Sequence, residues 1–194
     1  MLQNRNNSMI RQMVYGSMFG ALTAIGAFIV IPLQPVPITL QTLFTGLAGI
    51  LLGGYTGALS QIIYVILGVI GLPVFAGGKA GLGTLLGPSG GYLIGFIVAA
   101  YIIGKIAESR REAGPVWIVI SLIIGNLVIY TFGTLQLSLL AHLSMGKALL
   151  AGVVPFLVGD LIKLAATVFI SIKLLKRINP SCSESTTTYK IGTK

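Results

Sequence analysis

Asp160 and Lys163 stand together in the stretch Val158-Gly159-Asp160-Leu161-Ile162-Lys163-Leu164-Ala165. On a helix, a carboxylate and an ammonium at i and i+3 point to nearly the same side. Placing either charge in hydrocarbon costs at least a few kcal/mol, so such residues face a partner, a cavity or a substrate. The chain has only four acidic residues, and Asp160 is the one outside the polar loops and tail. The chemistry on offer is recognition. A carboxylate accepts from N–H donors, and an ammonium pairs with a carboxylate or a carbonyl. A small molecule with urea-like N–H groups and an acid tail would satisfy both. The alternative is a structural ion pair that ties helices together. A proton relay would need further ionisable groups in neighbouring spans, and these are missing.

Other chemistry is sparse. Gly78-Lys79 hints at a phosphate loop, but Ala80 stands where Ser or Thr is needed and Pro73 occupies the leading glycine position. No His/Cys/carboxylate cluster suits a metal, and His142 is alone near the end of an apolar run. One carboxylate beside a lysine is a poor acid–base set, because each neutralises the other. The expectation is a chain that is not an enzyme and that needs no cofactor or metal.

The elements that must position the pair are membrane spans. Mean hydropathy is +0.95 and 9% of residues are charged, far too apolar for a soluble domain of 194 residues. From Gln12 to Gly78 there are 67 residues without a formal charge. A single spanning helix needs about 20, so this run must turn back on itself. Breakers and charges divide the chain into six spans: Gln12 to Ile31, Thr39 to Gly53-Gly54, Tyr55 to Ile70, Gly91 to Lys105, Pro115 to Leu137, and Pro155 to Leu175. The expected fold is an all-α membrane protein, with a membrane domain over 1–177 and a polar, Ser/Thr-rich, disordered tail over 178–194 that holds the single cysteine, Cys182.

A net charge of +9 raises the question of nucleic acid, but the basic residues gather in short loops and termini. With six spans, one side holds Arg5, Arg11, Lys105, Arg110, Arg111, Lys173, Lys176 and Arg177, and the other only Lys79 and Lys147. This asymmetry places both termini in the cytoplasm. Lipid, not nucleic acid, is the expected surrounding.

The outer loops are long and unusual. Pro32-Leu33-Gln34-Pro35-Val36-Pro37 is stiffened against helix. The segment from Gly71 to Gly91 carries eight glycines, which permit tight turns and close backbone approach to a ligand. Its apolar piece Leu72-Pro73-Val74-Phe75-Ala76 is expected to fold over the bundle as a lid, the alternative being a packing loop without ligand. The first span carries a stripe of Gly16, Gly20 and Ala24, which either packs another helix of the same chain or docks another subunit.

Four blocks resemble a known family: Pro35-Val36-Pro37-Ile38-Thr39-Leu40-Gln41-Thr42-Leu43, Gly71-Leu72-Pro73-Val74-Phe75-Ala76-Gly77, Gly87-Pro88-Ser89-Gly90-Gly91-Tyr92-Leu93-Ile94-Gly95-Phe96, and Pro155-Phe156-Leu157-Val158-Gly159-Asp160-Leu161-Ile162-Lys163. In this order they resemble the BioY family, the biotin-binding S components of energy-coupling factor (ECF) vitamin transporters. The resemblance spans about residues 10 to 176. It implies a six-helix S-component fold, biotin held near the outer surface under the loop between the first two helices, and partners comprising a transmembrane coupling subunit and two ATPase subunits. The family's small-residue motif on the first helix corresponds best to Gly20 and Ala24, with glycine in place of the usual alanine at the first.

Biotin suits the residues: Asp160 for its ureido N–H groups, Lys163 or Lys79 for an anionic or carbonyl oxygen, Phe75 and Tyr92 around its ring. Thiamine would sit poorly beside lysine, and a flavin would want more aromatic surface than one tryptophan, Trp117, provides. The expected substrate-binding set is Asp160, Lys163, Tyr92, Lys79, Phe75, Gly78 and Gln41, with Gly16, Gly20 and Ala24 as the docking face. The competing expectations are a different small vitamin, or an assembly protein that transports nothing.

Overall fold

The computed structural model describes residues 2–109 and 114–178, with side chains from Met9 to Arg177. The side chain of Arg5, and Arg110, Arg111, Glu112, Cys182 and the expected tail beyond Ile178, lie outside what it describes.

The chain opens with α1 (Leu2–Phe28) and then makes a small antiparallel ladder of β1 (Val30–Ile31) and β2 (Ile38–Thr39), paired Val30 to Thr39 and Ile31 to Ile38. This ladder corrects the all-α expectation locally. The prolines at 35 and 37 deny helix to the connection, so its flanks pair as strands instead. α2 (Gln41–Val69) follows, then a 3₁₀ turn over Ala76–Gly78, a single turn α3 (Leu82–Leu85), α4 (Gly90–Glu108), α5 (Pro115–Leu140), a short α6 (Met145–Gly152) and α7 (Val154–Ile178). α6 was not expected. Four of these helices, α2, α4, α5 and α7, are long and apolar enough to cross a membrane.

α2 is not a straight rod. Gly53 has φ +81° and ψ 176°, outside the helical region, a conformation that glycine alone adopts without strain. The helix breaks there and its arms run back beside one another. The Gln41 carboxamide donates to the Tyr64 hydroxyl, Thr45 Oγ1 donates to Gln61 Oε1 at 3.2 Å, and a Cβ on Gly57 would lie 3.1 Å from the Ala48 carbonyl. In a straight helix, at about 1.5 Å per residue, none of these pairs could meet. The expected turn at Gly53-Gly54 is therefore the top of a helical hairpin. Its backbone is secured by α4, where Glu108 Oε1 accepts from Gly54 N at 3.0 Å.

α2 packs mainly against α4 and α1, α4 against α5, and α7 against α2, α5 and α6. Burial of apolar surface cannot discriminate helix contacts when the solvent is lipid, so close approach and interhelical hydrogen bonds matter more. Both are present between α1 and α2. Gly16 and Gly20 face α2: a Cβ on Gly20 would lie 3.0 Å from the Ser60 carbonyl. Gln61, fully buried, donates to Thr23 Oγ1 at 3.1 Å and accepts from Thr45. One side chain thus joins α1 to both arms of α2.

Candidate functional site

α7 begins at Val154, so Asp160 and Lys163 lie in its first turns, at the end of the bundle that carries the β1–β2 ladder and the segment from Gly71 to Ser89. There they line a cavity of about 170 Å³. Both are nearly inaccessible, at 5% and 7% exposed. They form an ion pair with each other, as their spacing requires. The surroundings complete the pair. Asp160 accepts from the Tyr130 hydroxyl on one oxygen and, at 3.3 Å, from Thr42 Oγ1 on the other. Lys163 Nζ donates to the Thr39 carbonyl at 3.0 Å. A buried charge pair persists only when further hydrogen bonds take up its spare donors and lone pairs, and here α2, α5 and the β2 strand supply them.

The cavity has a polar floor and an apolar wall. Aromatic surface comes from Phe75, Tyr92, Phe96, Tyr130 and Phe156; Pro35, Val36 and Pro37 close one side. Tyr92 and Phe156 lie with ring centroids 6.2 Å apart. Tyr92 is fixed by donation from its hydroxyl to the Gly152 carbonyl of α6 at 2.8 Å. Both outer segments therefore border the cavity, and so does α6 indirectly, through its hold on Tyr92.

The glycine-rich segment is docked rather than loose. Phe75 is 1% exposed and its ring occupies the notch left by Gly68, where even one added carbon would lie 2.1 Å from the ring. Gly81 N donates to the Gly68 carbonyl at 2.7 Å. Gln136 on α5 donates to the Leu85 and Gly87 carbonyls at 2.9 and 2.8 Å. The segment closes over the cavity from one side.

Of the residues singled out in the sequence, Asp160, Lys163, Tyr92, Lys79, Phe75 and Gln41 all line this cavity. Gly78 does not; it sits in the turn between Phe75 and Lys79, with φ +77° and its N–H on the Phe75 carbonyl at 2.9 Å. Lys79 is exposed, and no ion pair holds its ammonium among the described residues. Tyr130, Thr42, the Thr39 carbonyl and Phe156 were missed. Tyr130 lies inside an apolar run where no spacing marks it, and a backbone carbonyl has no sequence signal. Thr39 and Thr42 stand in the first matching block and Phe156 in the fourth, which is the signal that could have found them.

The residues of the expected docking stripe make contacts within the chain. Gly16 and Gly20 are buried against Leu59, Ser60 and Ile63 of α2, and Ala24 packs against the main core. The stripe brings two helices of one chain together. The neighbouring face of α1, with Ser17, Ala21 and Ile25, is exposed.

Comparison with known proteins gives a consistent result. A family profile described as the BioY family matches residues 2–180. A protein of Thermotoga maritima named biotin transporter BioY is 43% identical over 167 residues, covering 86% of this chain and 97% of that protein. A protein of Pyrococcus horikoshii named probable biotin transporter BioY is 44% identical over 158 residues, covering 81% and 92%. Among solved structures, the S-component for biotin from an ECF-type ABC transporter superposes with a TM-score of 0.78 at 33% identity, over 88% of this chain and 94% of that one.

Proposed function

The chain belongs to the BioY family, and from that premise we propose that it is the membrane subunit that captures biotin for an ECF-type transporter. It is a multi-pass membrane protein. The observation that carries the ligand assignment is the buried Asp160–Lys163 pair on the floor of a cavity with aromatic walls. Biotin offers ureido N–H donors and a ureido carbonyl on a compact ring, and a carboxylate on a flexible tail. The ureido edge fits the pair: Asp160 accepts, and the remaining donor capacity of Lys163 meets the carbonyl. The ring lies among Phe75, Tyr92 and Phe156. Lys79 takes the carboxylate, because no ion pair among the described residues holds its ammonium while that of Lys163 is already held by Asp160 and Thr39. Gln41 lines the cavity beside Thr39 and Thr42, and Gly78 shapes the turn that presents Lys79.

The six-helix S-component arrangement is part of the proposal: α1, the two arms of α2, α4, α5 and α7 each cross once. Arg11, Lys105, Lys173, Lys176 and Arg177 gather at the end away from the cavity, so both termini are cytoplasmic and the cavity opens outward. The proposed partners are a transmembrane coupling subunit and two ATPase subunits, which supply the energy. The coupling subunit meets the exposed face of α1 at Ser17 and Ala21, whose spacing of four permits close helix approach.

Titration of biotin into the purified chain tests the ligand. One molecule bound per chain, with a raised melting temperature, is the expected result; binding of another vitamin in its place would overturn it. A reporter fused after Arg177 that is active only outside the cytoplasm would overturn the orientation.

A further inference from the structure

A chain of hydrogen bonds, all running in one donor-to-acceptor sense, leads from the buried pair to the glycine-rich lid. Lys163 Nζ donates to the Thr39 carbonyl at 3.0 Å. Thr39 Oγ1 donates to Gln41 Oε1 at 2.7 Å. The Gln41 carboxamide nitrogen donates to the Tyr64 hydroxyl, and that hydroxyl donates to the Val74 carbonyl at 3.1 Å. Thr39 closes the first outer loop and Val74 belongs to the second, so the chain crosses between the two loops through the facing ends of the α2 hairpin. Tyr64 is the last link. It is fully buried, its hydroxyl is both acceptor and donor, and its ring meets the Phe75 ring edge-on, with centroids 5.7 Å apart and planes at 84°.

We propose that Tyr64 is a positioning residue that latches the lid to the state of the Asp160–Lys163 pair. A ligand engaging the pair shifts or fixes the Lys163 ammonium. The Thr39 carbonyl, Gln41 and Tyr64 then transmit that constraint to Val74, next to Phe75, which plugs the Gly68 notch. Tyr64 is not among the residues that line the cavity. It acts on how long the lid stays shut. The link to ligand rests on the biotin-binding reading; the link to the lid does not.

The test is amide exchange over residues 71–81 of the ligand-free full chain, with biotin release measured beside it. Tyr64→Phe keeps the ring and removes the hydroxyl. Loss of one net hydrogen bond is expected to speed lid exchange by about fivefold. Biotin release should rise by a similar factor while association changes little, as is usual when only the bound state is altered. Thr39→Val keeps the carbonyl for Lys163 and removes only the hydroxyl that reaches Gln41. It makes no hydrogen bond to the lid, yet it should also speed lid exchange. Because both act on one chain, the double variant should exchange no faster than the faster single one. Unchanged lid exchange in Tyr64→Phe, unchanged release, or effects that multiply in the double variant would overturn the latch. Should Tyr64→Phe fail to fold, Thr39→Val decides alone: faster lid exchange supports the chain and an unchanged rate overturns it. Should the wild-type chain fail to bind biotin, the proposed function falls, while exchange in the ligand-free protein still decides the latch.

Discussion

Two ion pairs in this chain have the same spacing and opposite circumstances. Lys105 and Glu108, three apart at the end of α4, lie 3.1 Å from each other with side chains 40% and 46% exposed. Asp160 and Lys163, three apart at the start of α7, are 6% and 8% exposed. Each pair also reaches backbone: Glu108 accepts from Gly54 N, and Lys163 donates to the Thr39 carbonyl. The exposed pair is a clip. Water and the Tyr55 ring, 4.2 Å from the Lys105 ammonium, offer alternatives to it, and such pairs contribute little. The buried pair is shielded from solvent, and its other partners are Tyr130, Thr42 and the Thr39 carbonyl. Desolvation of a buried pair can exceed its attraction, so on the proposed reading its presence at the floor of a cavity reflects recognition rather than stability.

The sharpest break in this contrast is Asp160→Asn. It leaves a buried ammonium unpaired, a change that typically costs about 2–5 kcal/mol in a recognition site, so biotin affinity should fall roughly 30-fold or more. Calorimetric titration checks it; unchanged affinity in both Asp160→Asn and Lys163→Met would remove the pair from the site.

Replacing both partners separates recognition from folding. Asp160→Leu combined with Lys163→Met should bind no biotin and yet melt no lower than Asp160→Asn alone, because well-packed apolar replacements of buried pairs are often neutral or stabilising by about 1–4 kcal/mol. A double variant melting below either single one would make the pair structural, like its exposed counterpart.

α1 supplies a smaller test of which surfaces are inside. Gly20→Leu drives a side chain against the Ser60 backbone and should destabilise by about 1–3 kcal/mol as overpacking, lowering the melting temperature. Ala21→Leu, one position on, should leave melting and biotin binding unchanged and weaken co-purification with the coupling subunit. Equal melting losses in both would mean that the two faces of α1 are not distinguished. The smallest effect belongs to Glu108→Gln: no change in biotin affinity and the least change in melting temperature of these variants.

Much of the site was legible because helical spacing and loop composition are local. The i, i+3 pair, the break at Gly53-Gly54, the proline-stiffened first loop and the glycine-rich second loop all follow from residues close in the chain. The six spans were read from breakers and charges, and the hydrogen bonds between Gln41 and Tyr64 and between Thr45 and Gln61 give the folded-back α2 that such a reading needs. α6 was not legible, nor was Tyr130, which completes Asp160 from an apolar run of α5.

α1 shows where the division lies. Its sequence carries two small-residue stripes one position apart, Gly16-Gly20-Ala24 and Ser17-Ala21, and nothing local ranks them. In water, an apolar face would announce the inside. In lipid, both the packed face and the exposed face are apolar, so hydrophobicity is silent about direction. Only the approach of α2, with the Ser60 carbonyl close enough to leave no room for a side chain at Gly20, decided which stripe is buried. The sequence by itself determined that Asp160 and Lys163 share a face and must be buried. The tertiary structure alone decided that Tyr130, Thr42 and the Thr39 carbonyl, each distant in the chain, would be the groups that make burial tolerable.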